Sequence, residues 1–372
     1  MTKELGLTPI AVFYAYPSSP QSAADAAATA VTHLDRTKLA SVLPWDKLMI
    51  NGRPIPSEIF AAIDSADVLI GDLTGLNPNV LYEVGYAIGR GKRIWLTADL
   101  TRTSREAIAA GVPPLGTIGI YAYQNGHQLA ASFEGELIAI LEKTPLLSQF
   151  SAAATNGARG VLVMKALHDT DASVRVMERF SNTPVAVILD DPAETNARSL
   201  AWYIERLITS PGVLVHFTAA DRTGASTVNA RYAFVAGMAR GLRANALLLQ
   251  EKSTAPVPLD FREDVSMYGS GREATRAVGD WITLIETDQA QLIAKEEEDR
   301  ERSVKRTSLQ ILYRGIGDFV AENDRDLISE YFLETAAYLN ALETSGAIIF
   351  VGRKGTGKTA NLLKLALKEA KS

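Results

Sequence analysis

Short unbroken apolar runs, separated by longer amphipathic stretches, organise the chain through residue 290. An unbroken apolar run is what a strand buried on both faces requires. The longer stretches carry the 3.6-residue period of helices that cover a sheet. In the first block, Pro9–Tyr16, Asp67–Leu73, Arg93–Ala98 and Thr117–Tyr123 read as strands, and Ser22–Leu34, Ile55–Ala66, Pro78–Gly91 and Leu129–Lys143 as helices. Ser57 is a candidate N-cap of the second helix, and Asn77 followed by Pro78 marks the start of the third. In the second block, Gly160–Leu167, Pro184–Asp191, Gly212–Ala219 and Ala244–Gln250 read as strands with helices between them. This alternation predicts an α/β protein with parallel sheets covered on both faces.

The two blocks resemble each other. "DLTGLNPNVLYEVGYAIGRGKRIWL", from Asp72, aligns with "DRTGASTVNARYAFVAGMARGLRANALLL", from Asp221. Asp72, Thr74 and Gly75 match Asp221, Thr223 and Gly224, and one inserted residue later Tyr82, Arg90 and Gly91 match Tyr232, Arg240 and Gly241. Glu83 then falls opposite Ala233, so the second copy lacks the carboxylate. The expectation is a tandem duplication of doubly wound, flavodoxin-like domains over residues 1–150 and 155–290. A charge-dense helical connector over 291–345 and the start of a P-loop domain over 346–372 follow.

Composition narrows the function classes. The 372 residues are 47% hydrophobic and 22% charged, with net charge −5. A dominant nucleic-acid surface is not indicated, although a local basic patch remains compatible with that balance. The chain has no cysteine, which excludes disulfides, thiolate metal sites and a cysteine nucleophile and fits a reducing cytoplasm. Its four histidines are scattered, so no metal site is expected. The first apolar run is too short for a signal peptide or a membrane span.

Near the C-terminus, Gly352, Gly355, Gly357, Lys358 and Thr359 fit G-x-x-x-x-G-K-[ST] between an apolar strand and a helical pattern. Backbone N–H groups of such a loop cradle phosphates, with Lys358 at the β/γ-phosphates and Thr359 on Mg²⁺. ATP and Mg²⁺ are therefore implied for a full-length P-loop domain. The chain ends at Ser372, too soon after Thr359 for a strand carrying a Walker B acid. The expectation is the front part of a longer ATPase, with no NTP hydrolysis by this chain.

The densest polar cluster is "GDLTGLNPNVLYEVGYAIGRGK", Gly71–Lys92, where a strand hands over to a helix. Helical spacing puts Val80, Val84, Ala87 and Ile88 on the sheet side and Asn79, Glu83, Tyr86 and Arg90 on one flank. Ligands of open parallel sheets bind at the strand C-termini, where Asp72, Thr74 and Asn77 lie. The same spacing also suits a solvated helix face.

This stretch resembles the signature of the nucleoside 2-deoxyribosyltransferase-like superfamily, flavodoxin-like domains close in architecture to TIR domains. The resemblance is clear over Asp67–Lys92. It implies that Glu83, in Glu83-Val84-Gly85-Tyr86-Ala87, is the nucleophile attacking the anomeric carbon of a nucleoside or nucleotide, with no cofactor. It also implies a pocket to which the first strand contributes Tyr14, Tyr16 and Ser18. A carboxylate below the anomeric carbon stabilises an oxocarbenium-like state or bonds to it. A purine or pyrimidine leaving group needs an acid, for which Asp72, Glu58 and Asp64 are candidates, whereas nicotinamide leaves NAD⁺ as a neutral base. Fusion to a P-loop ATPase resembles bacterial anti-phage effectors and implies a homo-oligomer. The alternative is a non-catalytic module that senses a nucleotide and regulates the ATPase.

Overall fold

The computed structural model describes residues 9–49, 52–151, 160–194, 198–252, 255–287, 335–343, 348–350 and 358–369. Through Gln289 the chain is one compact unit, and Ala290–Ser372 is another.

The first unit holds two five-stranded, all-parallel sheets. In the first, β1 (Ile10–Ala15), β2 (Ala40–Pro44), β3 (Val68–Asp72), β4 (Arg93–Ala98) and β5 (Ile120–Ala122) lie in the order β2-β1-β3-β4-β5. In the second, β6 (Val161–Met164), β7 (Val187–Asp190), β8 (Val213–Phe217), β9 (Ala246–Glu251) and β10 (Val265–Tyr268) lie in the order β10-β9-β8-β6-β7. Read from the other edge, the second order reproduces the first. Both are doubly wound, with the strand order reversing between the first and third strands of each repeat.

Helices α1 (Gln21–Thr37) and α5 (Gly126–Glu142) cover one face of the first sheet, burying Ala27, Leu34, Leu129 and Phe133 against Val12, Tyr14, Val68 and Ile70. Helices α2 (Ile55–Ser65) and α3 (Pro78–Gly89) cover the other. Asn77 caps α3 as expected, its Oδ1 accepting from the N–H groups of Asn79 and Val80. Ser57 is not the N-cap of α2; that position is Pro54, and Ser57 lies inside the first turn. α4 (Arg105–Gly111) and α6 (Leu146–Ser151) complete the repeat. In the second repeat, α7 (Asp171–Ser181) and α10 (271–287) cover one face, and α8 (Leu200–Thr209) and α9 (Ala225–Gly241) the other.

The two repeats join through α3 and α9, which cross at backbone contact. A Cβ at Gly85 would stand 2.0 Å from the carbonyl oxygen of Phe234, and one at Gly237 would stand 2.0 Å from that of Tyr82. Gly89 against Met238 and Gly241 against Tyr86 repeat the relation one turn later, at 2.5 and 2.4 Å. These reciprocal pairs define a local two-fold that equates Gly85 with Gly237 and Gly89 with Gly241. The internal alignment shifts accordingly. Tyr82 is equivalent to Phe234, not Tyr232, and Glu83 to Val235, not Ala233. The loop glycines Gly75 and Gly224 do correspond in conformation, with φ of 74° and 76°.

In the second unit, helices Ala336–Glu343 and Lys358–Glu369 are described. Most of the connector lies outside the described residues. Among the described residues, no helix is long and apolar enough to cross a membrane.

Candidate active site

The C-terminal end of β3 sends its polar groups in two directions. Along the strand, Val68 and Ile70 face α1 and α5, while Gly71 faces α3, where a Cβ would stand 2.6 Å from Val84. The alternation puts Asp72 on the α1/α5 side. There it is fully buried, accepting from Tyr123 Oη at 2.6 Å and from the Thr74 N–H at 2.9 Å. Burial raises its pKa, and the bonds from Thr74 and Tyr123 oppose that shift. Thr74 Oγ1 accepts from the Asp99 N–H at 2.9 Å, and Thr103 Oγ1 accepts from the Gly75 N–H at 2.8 Å. The loop after β3 is therefore held rigidly, with Gly75 facing the carbonyl of Ser19 in the loop after β1. Tyr14 is wholly buried in this cluster and its pKa lies well above normal through burial, then the charge of Asp72. Tyr16 packs edge-on against Tyr14, and burial, then nearby Asp46, raises its pKa. Ser18 is exposed.

Glu83 belongs to a different cluster. It sits in the second turn of α3, 4% exposed, and its carboxyl accepts no hydrogen bond from the described residues. Its flank of α3 is lined above and below. One turn toward the N-terminus, Asn79 Nδ2 donates to Asp260 Oδ2 at 2.6 Å, and the Asp260 N–H donates back to Asn79 Oδ1 at 3.3 Å. One turn toward the C-terminus, Tyr86 Oη donates to Asp64 Oδ2 at 3.2 Å, and one turn further Arg90 Nε donates to Asp64 Oδ1 at 2.7 Å. Phe60 of α2 lies 4.4 Å from the Tyr86 ring and 5.2 Å from Phe261, which stacks on Tyr82 at 4.3 Å. Burial, then the charge of Asp260, holds the Glu83 carboxyl well above the usual carboxylate range. Burial also raises Asp260.

The sequence-predicted residues thus divide. Asp72, Thr74, Tyr14 and Tyr16 form one buried group; Asn79, Glu83 and Tyr86 form another along one flank of α3, where Asn79 and Glu83 meet Asp260 and Tyr86 meets α2; Asn77 serves as the cap between them. The acid facing Glu83 is Asp260, from the segment between β9 and β10 of the second repeat. Of the acids proposed from proximity in sequence, Asp64 is tied to Tyr86 and Arg90, and Glu58 pairs with Arg53 at 3.2 Å. Asp260 carries no local signal, since it reaches Asn79 across 181 residues.

Of the residues expected to form a P-loop, Lys358 and Thr359 are the first two of the helix Lys358–Glu369. Gly352, Gly355 and Gly357 lie outside the described residues.

No protein-family model matches the chain. A stretch of 49 residues is 47% identical to a transposon gamma-delta 80.3 kDa protein of Escherichia coli (strain K12). It covers 13% of this chain and 7% of that protein's length.

Proposed function

We propose that the first repeat cleaves the N-glycosidic bond of a nucleotide or nucleoside, of the NAD⁺ or deoxynucleoside monophosphate class. Glu83 is the carboxylate beneath the anomeric carbon and Asp260 its partner acid. The observation that carries the reading is a largely buried carboxyl that receives no hydrogen bond from the described residues, on a helix whose two-fold mate has a fully buried valine in the same place. The crossing of α3 and α9 packs around Val235 without any acid there, so the fold does not require one at position 83. An unpaired buried carboxyl costs stability, and such costs concentrate at functional sites.

Burial raises the pKa of both carboxyls, and the charge of Asp260 raises that of Glu83 further. Asn79 donates to Asp260 and favours its ionised form, so of the two acids Glu83 is the one that holds a proton more readily. A sugar ring gaining positive charge beside Glu83 reverses that preference. The C1′–N bond breaks, its electron pair leaves with the base, and the base takes the proton from the pair. The Glu83 carboxylate stabilises C1′ or bonds to it, and water then attacks C1′ and returns a proton to the pair. Nicotinamide departs from NAD⁺ neutral and needs no such proton. With Glu83 only 4% exposed, a sugar ring reaches it only when Phe60 or the Asp260 segment moves. The resemblance to deoxyribosyltransferases supports the assignment of Glu83, and the P-loop motif supports a larger ATPase, of the anti-phage effector type, as its setting.

The test is to incubate the chain separately with NAD⁺, a deoxynucleoside monophosphate and a nucleoside, and to follow free base by chromatography. Release that disappears in Glu83→Gln and weakens in Asp260→Asn is the expected outcome. Nucleotide binding without release, unchanged in Glu83→Gln, would make the repeats a sensor instead.

A further inference from the structure

The outer face of the second repeat carries a feature that the proposed chemistry does not use. Arg175 and Arg179 of α7 and Arg272 and Arg276 of α10 line one groove of about 440 Å³, together with Thr275, Gly279, Asp280 and Thr283. Each helix contributes its pair at i and i+4, so each pair stands on one face, about 6 Å apart along the axis.

Three further observations make this more than chance surface charge. The protein is acidic overall, at −5, so a cluster of four arginines runs against its composition. Arg175 is held by Asp171, at 2.8 and 2.9 Å, whereas Arg179, Arg272 and Arg276 have no carboxylate partner among the described residues. Finally, α10 presents glycine where the α7 side chains cross it. A Cβ at Gly271 would stand 2.3 Å from Asp171 Oδ2 and 2.8 Å from Arg175 Cδ. One at Gly279 would stand 3.3 Å from Arg179 Nε. Glycine on α10 thus clears the space in which the two rows of guanidinium groups lie side by side.

Guanidinium groups bind phosphate oxygens through paired N–H donors. Among the described residues the lining has no aromatic or large apolar side chain to stack a base or recognise a nucleoside. A ligand held there is read through its phosphates alone, along an exposed strip rather than in an enclosed pocket. We propose that this groove binds the phosphodiester backbone of a nucleic acid without reading its sequence. Asp280 sits within the strip and Asp171 occupies Arg175, so three arginines unpaired among the described residues face this one further acid.

The experiment measures binding of the whole chain to a fluorescent duplex of about 20 base pairs by anisotropy, across a salt series. Three phosphate contacts, from Arg179, Arg272 and Arg276, predict that affinity falls about 40-fold between roughly 50 and 200 mM salt, and about 3-fold in a variant that keeps only Arg272. Arg179→Gln with Arg276→Gln is that variant; Arg179→Lys with Arg276→Lys keeps the charges and should keep the steep slope. Circular dichroism establishes that both pairs remain folded, and Lys358→Ala, which alters the separate phosphate-binding motif, should leave the slope unchanged. A single strand of the same length and ATP serve as competitors. Displacement by the single strand, with a shallower slope, still supports a backbone site. Equal slopes in the wild type and the glutamine pair, no binding at all, or displacement by ATP at concentrations where nucleic acid fails, would overturn the proposal.

Discussion

Replacing Glu83 by glutamine should stabilise the protein, in a pH-dependent way. The carboxyl is buried, receives no hydrogen bond from the described residues, and lies near the charge of Asp260, so its folded pKa lies well above its unfolded value. Between those two values the folded state holds a proton that the unfolded chain has released. Unfolding is then favoured as pH rises, and stability falls by up to about 1.4 kcal/mol per pH unit. Glutamine has nearly the same shape and no titration. The two proteins should therefore have similar stability near pH 4. Above that, the Glu83→Gln advantage should widen by up to about 1.4 kcal/mol for each unit until the folded pKa is passed, or about 3 °C in Tm per unit. Thermal unfolding followed by circular dichroism across about pH 4 to about pH 8 measures this directly. A Glu83→Gln protein that is less stable than the wild type, by an amount that does not change with pH, would show that the carboxylate is satisfied, and the argument from an unpaired acid would fail.

Other predictions test neighbouring parts of the account. Asp260→Asn removes the negative charge that helps to raise Glu83, so the acid limb of the pH profile for base release should move to lower pH. Gly85→Ala puts a methyl group 2.0 Å from a carbonyl oxygen of the opposite helix and should cost about 2–3 kcal/mol in urea unfolding; Gly237→Ala, its two-fold mate, should cost a similar amount. Tyr123→Phe leaves buried Asp72 short of its 2.6 Å donor and should cost about 1–3 kcal/mol. Because Asp72 and Glu83 share no partner, the effects of Tyr123→Phe and Glu83→Gln should add to within about 0.5 kcal/mol.

Much of the fold is written in local patterns. The apolar run Arg93–Ala98 is β4 residue for residue, and Asn77-Pro78 starts α3 through a cap whose chemistry is local. β2 escapes the pattern because its five residues alternate buried and exposed positions with little contrast in polarity. β10, four residues at a sheet edge, is likewise too short and too polar to stand out. The internal duplication is legible from Asp-x-Thr-Gly and its partner, but the register through the helices is not. The second copy lengthens its loop, and only the reciprocal glycine contacts show that Val235, not Ala233, replaces the acid. The same limit applies to the site. The flank Asn79, Glu83, Tyr86 follows from helical spacing, whereas Asp260 and Phe261 arrive from the other repeat and leave no periodic trace. The arginine strip has this character too, because each i, i+4 pair is visible alone but their convergence depends on how α7 and α10 lie on the second sheet.

The central claim is that Glu83 lies beneath the anomeric carbon of a bound sugar. Incubation with a nucleoside bearing fluorine at C2′ slows breakdown of any glycosyl–enzyme bond, and peptide mass spectrometry then locates the sugar. The account predicts a single added sugar on the peptide containing Glu83, absent in Glu83→Gln. Base release without that adduct, or with the sugar on another carboxylate, would contradict it.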